Sequence, residues 1–95
     1  MEKLNEQQIN SALTQLAGWK LENGFICKTF KFNNFKEAFS VMTAIAFEAE
    51  AQNHHPNWEN VYNTLTIRLN THDVDGITNN DINLANSIEE IVNRD

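Results

Sequence analysis

Apolar residues at Ile9, Ala12, Leu13, Leu16 and Ala17 recur at helical spacing. Asn5 stands where a helix needs a cap, and Gln8 three residues on completes a capping-box pattern. Gly18 suits the left-handed position that closes a helix. The pattern predicts a first helix over about residues 5–17. Residues 19–22 and 25–32 flank Asn23-Gly24, the dipeptide favoured in tight type I′ hairpin turns, where both central residues need positive φ. In the second of these strands Ile26, Lys28, Phe30 and Phe32 share one face, and Phe25, Cys27, Thr29 and Lys31 the other. A second helix is expected from Asn33 or Asn34, with Glu37 completing a capping box if Asn34 is the cap. Phe35, Ala38, Phe39, Met42, Ile45, Ala46 and Ala49 form its apolar stripe. Val41 and Phe47 lie off that stripe, which suggests a second packing partner.

Pro56 must end this helix, because the residue before a proline is pushed out of the helical region. His54 then falls in or just after the last turn, and His55 in extended chain. A strand is expected over residues 58–62. In the next, Leu65, Ile67, Leu69 and Thr71 alternate with Thr66, Arg68, Asn70 and His72. A loop over residues 73–77 contains Gly76, and a third helix beginning at Thr78 carries Ile82, Ala85, Ile88, Ile91 and Val92, with Leu84 near the stripe edge. The order α-β-β-α-β-β-α, with two hairpins and three amphipathic helices, predicts an α+β fold: one four-stranded antiparallel sheet with the helices on one face.

The length of 95 residues suits a single domain over residues 1–95, small enough that self-association would help it bury surface. With 41% hydrophobic and 21% charged residues the composition is that of an ordinary globular protein. The polar start MEKLNEQQIN does not resemble a signal peptide, and no apolar run approaches the roughly 20 residues needed to cross a membrane. Cys27 is the only cysteine, so no internal disulfide forms, and a reducing, cytoplasmic setting is expected. The net charge of −6, without a Lys/Arg cluster, argues against direct nucleic-acid binding. The acids are dispersed, as on a solvated surface, and do not form an interaction tail.

All three histidines lie between His54 and His72. His54 sits at a helix C-terminus, whose carbonyls favour positive charge, and His72 ends a strand on its polar side. Both ends can meet at one rim of the sheet. Imidazoles give and take protons near neutral pH, so such a pair suits acid–base catalysis. Zinc ligation is disfavoured: adjacent His54 and His55 project differently, and there is no i, i+4 histidine pair and no second cysteine. Thr78-Asn79-Asn80-Asp81 is itself a capping box, so Asp81 reads equally as a helix cap and as a carboxylate that orients a histidine. Glu50, four residues before His54, shares its helix face; it reads either as a surface ion-pair partner or as a residue that positions His54. Trp19 and Trp58 read as packing residues rather than a stacking platform. Cys27 reads as an inert, half-buried strand residue, and Arg68 as an anion contact or a solvated charge.

Glu50, three residues, His54-His55-Pro56, five residues, Tyr62, nine residues, His72, eight residues, Asp81: this spacing closely resembles the signature of the pterin-4a-carbinolamine dehydratases. Ala17-Gly18-Trp19, Phe30-Lys31-Phe32, Asn70-Thr71-His72 and Ile82-Asn83-Leu84-Ala85 are also similar to that family, so the resemblance covers nearly the whole chain. Asn53 and Asn70 stand where relatives often carry Asp and Ser.

The resemblance implies the same fold, no metal and no organic cofactor, and a homodimer or homotetramer with sheets joined edge to edge and second helices bundled. It implies dehydration of a 4a-hydroxytetrahydropterin to the quinonoid dihydropterin, which recycles the cofactor of aromatic amino-acid hydroxylases. His54 and His72 would be the proton-transfer pair and His55 a substrate contact, with Asn53, Asn70 and Thr71 presenting polar groups to the pterin. Asp81 would orient a histidine and Glu50 would support His54. A competing role is protein binding through the second helix, since some relatives are dimerisation cofactors of a homeodomain transcription factor. A metal-dependent hydrolase is a third reading, distinguished by its sensitivity to chelator.

Overall fold

The computed structural model describes residues 2–94. Its elements are α1 (Glu6–Leu13), β1 (Lys20–Glu22), β2 (Phe25–Lys31), α2 (Phe35–Gln52), β3 (Asn57–Val61), β4 (Thr64–Leu69), a 3-10 turn (His72–Val74) and α3 (Asn79–Val92). The strands form one antiparallel sheet in the order β1-β2-β4-β3. Ile26, Phe30, Leu65, Ile67 and Leu69 project from the two central strands into a core shared with Ile9 and Leu16 and with Ile45, Ala49, Leu84, Ala85 and Ile88 of α2 and α3. This is the expected α+β architecture, with alternation along β4 burying every second residue. Among the described residues no helix is long and apolar enough to cross a membrane.

Local chemistry accounts for the element ends. Asn5 and Gln8 form a reciprocal capping box at α1. Asn23 (φ 53°) and Gly24 (φ 82°) take the positive φ values of the β1–β2 turn. α1, however, stops at Leu13 instead of running on to residue 17. The amides of Gln15, Leu16 and Trp19 bond three residues back, to Ala12, Leu13 and Leu16. These tighter turns bring Leu16 and Trp19 into the core at 2% and 4% exposure. Gly18 has φ 88°, and a Cβ there would lie 2.9 Å from Cε of Lys28.

Lys28 lies on the core side of β2 by alternation, yet its ammonium is satisfied. It donates to Ala17 O at 2.9 Å and to Glu89 of α3 at 2.7 Å, and lies 4.7 Å from the Phe30 ring centre. Trp19 Nε1 donates to the same Glu89 oxygen at 2.9 Å. Burial opposes the Glu89 charge, but the hydrogen bonds from Lys28 and Trp19 and the nearby ammonium outweigh it, so the carboxyl is held below its ordinary range. Cys27 is half-buried, as expected; burial, the Glu22 hydrogen bond and the Glu22 charge push its thiol up. Arg68 pairs with Glu59 at 3.2 Å. Trp19 packs edge-on against Phe30, and half-buried Trp58 packs against the core.

α2 departs from its expected face. Asn34 caps it, but the Glu37 carboxylate reaches the backbone and side-chain nitrogens of Asn33, not the Asn34 amide. Only Ala38, Ile45 and Ala49 of the stripe are buried, and Val41 and Met42 pack beside them. Val41 therefore has its partner within the chain. The contact face of α2 is thus centred on Ala38, Ile45 and Ala49, and Phe35, Phe39 and Phe47 are left exposed at 49%, 53% and 75%. Leu84, expected at the edge of α3, is fully buried, whereas Ile82, Ile91 and Val92 are only partly so. β4 ends at Leu69, opposite Ile26 of β2. Thr71 instead bridges to Gly76, and His72 enters the 3-10 turn rather than extending the strand.

Candidate active site

The C-terminus of α2 separates the two adjacent histidines. Asn53 adopts a left-handed conformation (φ 52°, ψ 43°), and the His54 amide returns to Ala49 O at 3.0 Å. The chain thereby reverses out of the helix before Pro56. His54 turns inward, its side chain 11% exposed, with Nε2 2.6 Å from Oδ1 of the fully buried Asp81. His55 turns outward, its side chain 59% exposed, with Nε2 2.9 Å from Glu50 Oε1. Glu50 is thus beside His55 and not His54. The expected helix-face pairing fails because the left-handed Asn53 takes His54 off that face.

Asp81 belongs to the first turn of α3. Its Oδ2 accepts from the Thr78 amide at 2.9 Å and from the Thr71 hydroxyl at 2.8 Å. The Thr71 and Thr78 hydroxyls are 2.7 Å apart, and Thr78 Oγ1 accepts from the Asn80 amide at 3.2 Å. The carboxylate therefore caps the helix with one oxygen and faces His54 with the other. Among the described residues no buried side-chain polar atom lacks a partner.

An open cleft of about 250 Å³ is lined by Asn53, His54, His55, Asn70, Thr71, His72 and Asp73. Every residue expected to meet a substrate reaches its wall. Thr71 differs in role from the sequence expectation: it is 6% exposed and its hydroxyl points to Asp81 and Thr78, not outward. His72 is exposed in its turn and makes no side-chain hydrogen bond among the described residues. Asp73 is the lining residue that sequence reasoning missed; its only signal was adjacency to His72. Among the described residues no three His, Cys, Asp or Glu side chains converge as a metal site.

The cleft thus offers two kinds of imidazole. His54 is fixed through one nitrogen on a buried carboxylate, which leaves its other nitrogen for exchange with a ligand. His55 and His72 are exposed, and His55 is backed by the Glu50 carboxylate. Asn53 and Asn70 add neutral hydrogen-bonding groups. Such a site suits proton transfer to and from a polar, hydrogen-bonding ligand.

Residues 2–91 match the model of the family described as pterin 4 alpha carbinolamine dehydratase. A relative from Christiangramia forsetii, named for that family, is 56% identical over 97% of this chain and 95% of its own length. Another from Rhizobium johnstonii, bearing the same family name, is 47% identical over 99% and 95%. The crystal structure of a Brucella melitensis protein described as a transcriptional coactivator/pterin dehydratase superposes with a TM-score of 0.92 at 38% identity, covering 95% of this chain and 98% of that one. The chain belongs to the pterin 4 alpha carbinolamine dehydratase family, a family of hydro-lyases.

Proposed function

We propose that this protein dehydrates 4a-hydroxytetrahydrobiopterin, or a close pterin analogue, to the quinonoid dihydropterin and water. The observation that carries this reading is the meeting of His54, His55 and His72 in one cleft, with His54 held by Asp81 at 2.6 Å. The reaction breaks the C4a–O bond, removes the proton on N5 and leaves a C4a=N5 double bond. The departing hydroxyl takes up a proton and leaves as water.

His54 and His72 are the proton-transfer pair in this reading. His54 takes the N5 proton through Nδ1, since Nε2 is engaged by Asp81, and the carboxylate offsets the positive charge that develops on the ring. His72, whose side chain makes no hydrogen bond among the described residues, delivers a proton to the leaving hydroxyl. His55, backed by Glu50, binds the pterin with Asn53 and Asn70. General acid–base catalysis of this kind contributes roughly 10²–10⁴-fold. The same reading carries a cytoplasmic homodimer or homotetramer that serves tetrahydrobiopterin recycling and uses no metal or organic cofactor.

A protein-binding role is the second reading, favoured by the exposed Phe35, Phe39 and Phe47 of α2 and by the coactivator description of the Brucella melitensis relative. Stopped-flow decay of 4a-hydroxytetrahydrobiopterin, measured with and without the protein and with and without chelator, separates the readings. Acceleration by the protein supports the dehydratase. No acceleration leaves the binding role, and acceleration abolished by chelator points to a metal-dependent enzyme.

A further inference from the structure

We infer that Thr71 is a positioning residue for the proposed dehydration, its buried hydroxyl setting the direction of a hydrogen-bond chain that ends on His54. Proton bookkeeping gives the chain its direction. Each threonine hydroxyl has one proton. Thr71 gives its proton to Asp81 Oδ2 at 2.8 Å. The 2.7 Å contact between the hydroxyls is therefore filled by the proton of Thr78. Thr78 Oγ1 in turn accepts from the Asn80 amide, so it has a donor of its own.

Asp81 Oδ2 thus holds two donors, the Thr71 hydroxyl and the Thr78 amide, and Oδ1 is left to face His54 Nε2. A carboxylate pinned in this way accepts Nε2–H and leaves Nδ1 of His54 for the substrate. The Thr71 backbone meanwhile anchors the turn that bears His72. Its amide donates to Gly76 O at 2.7 Å, and its carbonyl accepts from Val74 N at 3.2 Å. One residue therefore holds both members of the proposed proton-transfer pair, His54 through its hydroxyl and His72 through its backbone. Substitution by valine removes the first tie and leaves the second.

The inference rests on the dehydratase reading for its kinetic arm but not for its spectroscopic one. Thr71→Val and Thr71→Ser are compared with the unaltered protein by stopped-flow dehydration and by ¹H–¹⁵N NMR of the His54 ring. The expected result is a slowly exchanging Nε2–H signal in the unaltered protein, lost in Thr71→Val and restored in Thr71→Ser. In parallel, kcat falls about 10- to 100-fold in Thr71→Val with KM within about threefold, and recovers in Thr71→Ser, as for one charge-assisted hydrogen bond. Thr71→Cys keeps a weak donor of similar size and is expected to weaken both readouts, which covers a valine variant that does not fold. A Thr71→Val or Thr71→Cys protein with its Nε2–H signal unchanged overturns the inference, as does a serine variant that rescues neither readout. If the unaltered protein shows the signal but no dehydration, the proposed function fails while the NMR comparison still decides the hydrogen-bond chain.

Discussion

His54 and Asp81, 27 positions apart, meet at 2.6 Å with the carboxylate fully buried and the imidazole 11% exposed. The contact joins the C-terminal end of α2 to the first turn of α3. It also divides the carboxylate between two tasks, since Oδ2 caps α3 while Oδ1 holds the ring.

Asp81→Asn keeps the shape and removes the charge. It is expected to lower kcat about 10²–10⁴-fold, because the amide oxygen is claimed by the Thr71 and Thr78 donors, which turns the NH2 group toward Nε2, and because an amide does not offset a charged His54. Asp81→Ala additionally strands the Thr78 amide and the Thr71 hydroxyl, and is expected to cost about 2–4 kcal/mol of stability. Urea unfolding checks the second figure, and stopped-flow kinetics the first.

Asn53 occupies the left-handed region with φ 52°, where a β-branched side chain is strained. Asn53→Gly is expected to retain the fold within about 0.5 kcal/mol, and Asn53→Val to lose about 1–2 kcal/mol. The valine variant should also lose the divergence of His54 and His55, seen as a drop in kcat beyond that of the glycine variant.

Much of this geometry is legible in the chain because it is local. Asn5, Gln8, Asn34, Thr78 and Asp81 announce helix starts by side-chain chemistry within one turn. Asn23-Gly24 specifies its hairpin in the same way. The spacing of His54, His55, His72 and Asp81 pointed to one site. What stayed hidden depends on a single backbone choice or on tertiary packing. Glu50 meets His55 because Asn53 turns left-handed, a conformation open to asparagine but not dictated by it. Thr71 lay on the buried face of the β4 alternation, which already contradicted an outward hydroxyl. The turned face of α2, centred on Ala38, Ile45 and Ala49, is set by tertiary packing, which helical periodicity alone does not contain.

Glu89 ties Lys28 and Trp19 to α3. Its carboxyl is held below the ordinary value of 4.5, so its contribution is present above that pH and is lost as pH falls through the lower folded value. Glu89→Gln is expected to lose about 1–2 kcal/mol at pH 7 and to flatten the acid limb of stability against pH. Urea midpoints measured from pH 7 to pH 3 check both.

Phe39 and Phe47 flank an apolar groove shared with Met42, Ala46 and Trp58. In the proposed homo-oligomer this face of α2 is covered. Phe47→Ser is therefore expected to shift sedimentation toward smaller species while leaving the thermal midpoint of the dissociated chain within about 3 °C, since the side chain is 75% exposed in the single chain. An unchanged sedimentation profile would remove Phe47 from the interface.

The most direct measurement is the stopped-flow rate of 4a-hydroxytetrahydrobiopterin decay with His54→Ala beside the unaltered protein, chelator present in both. Clear acceleration by the unaltered protein and a rate about 10²–10⁴-fold lower for the variant are expected. Equal acceleration by a folded His54→Ala protein would contradict the proton-transfer role of His54.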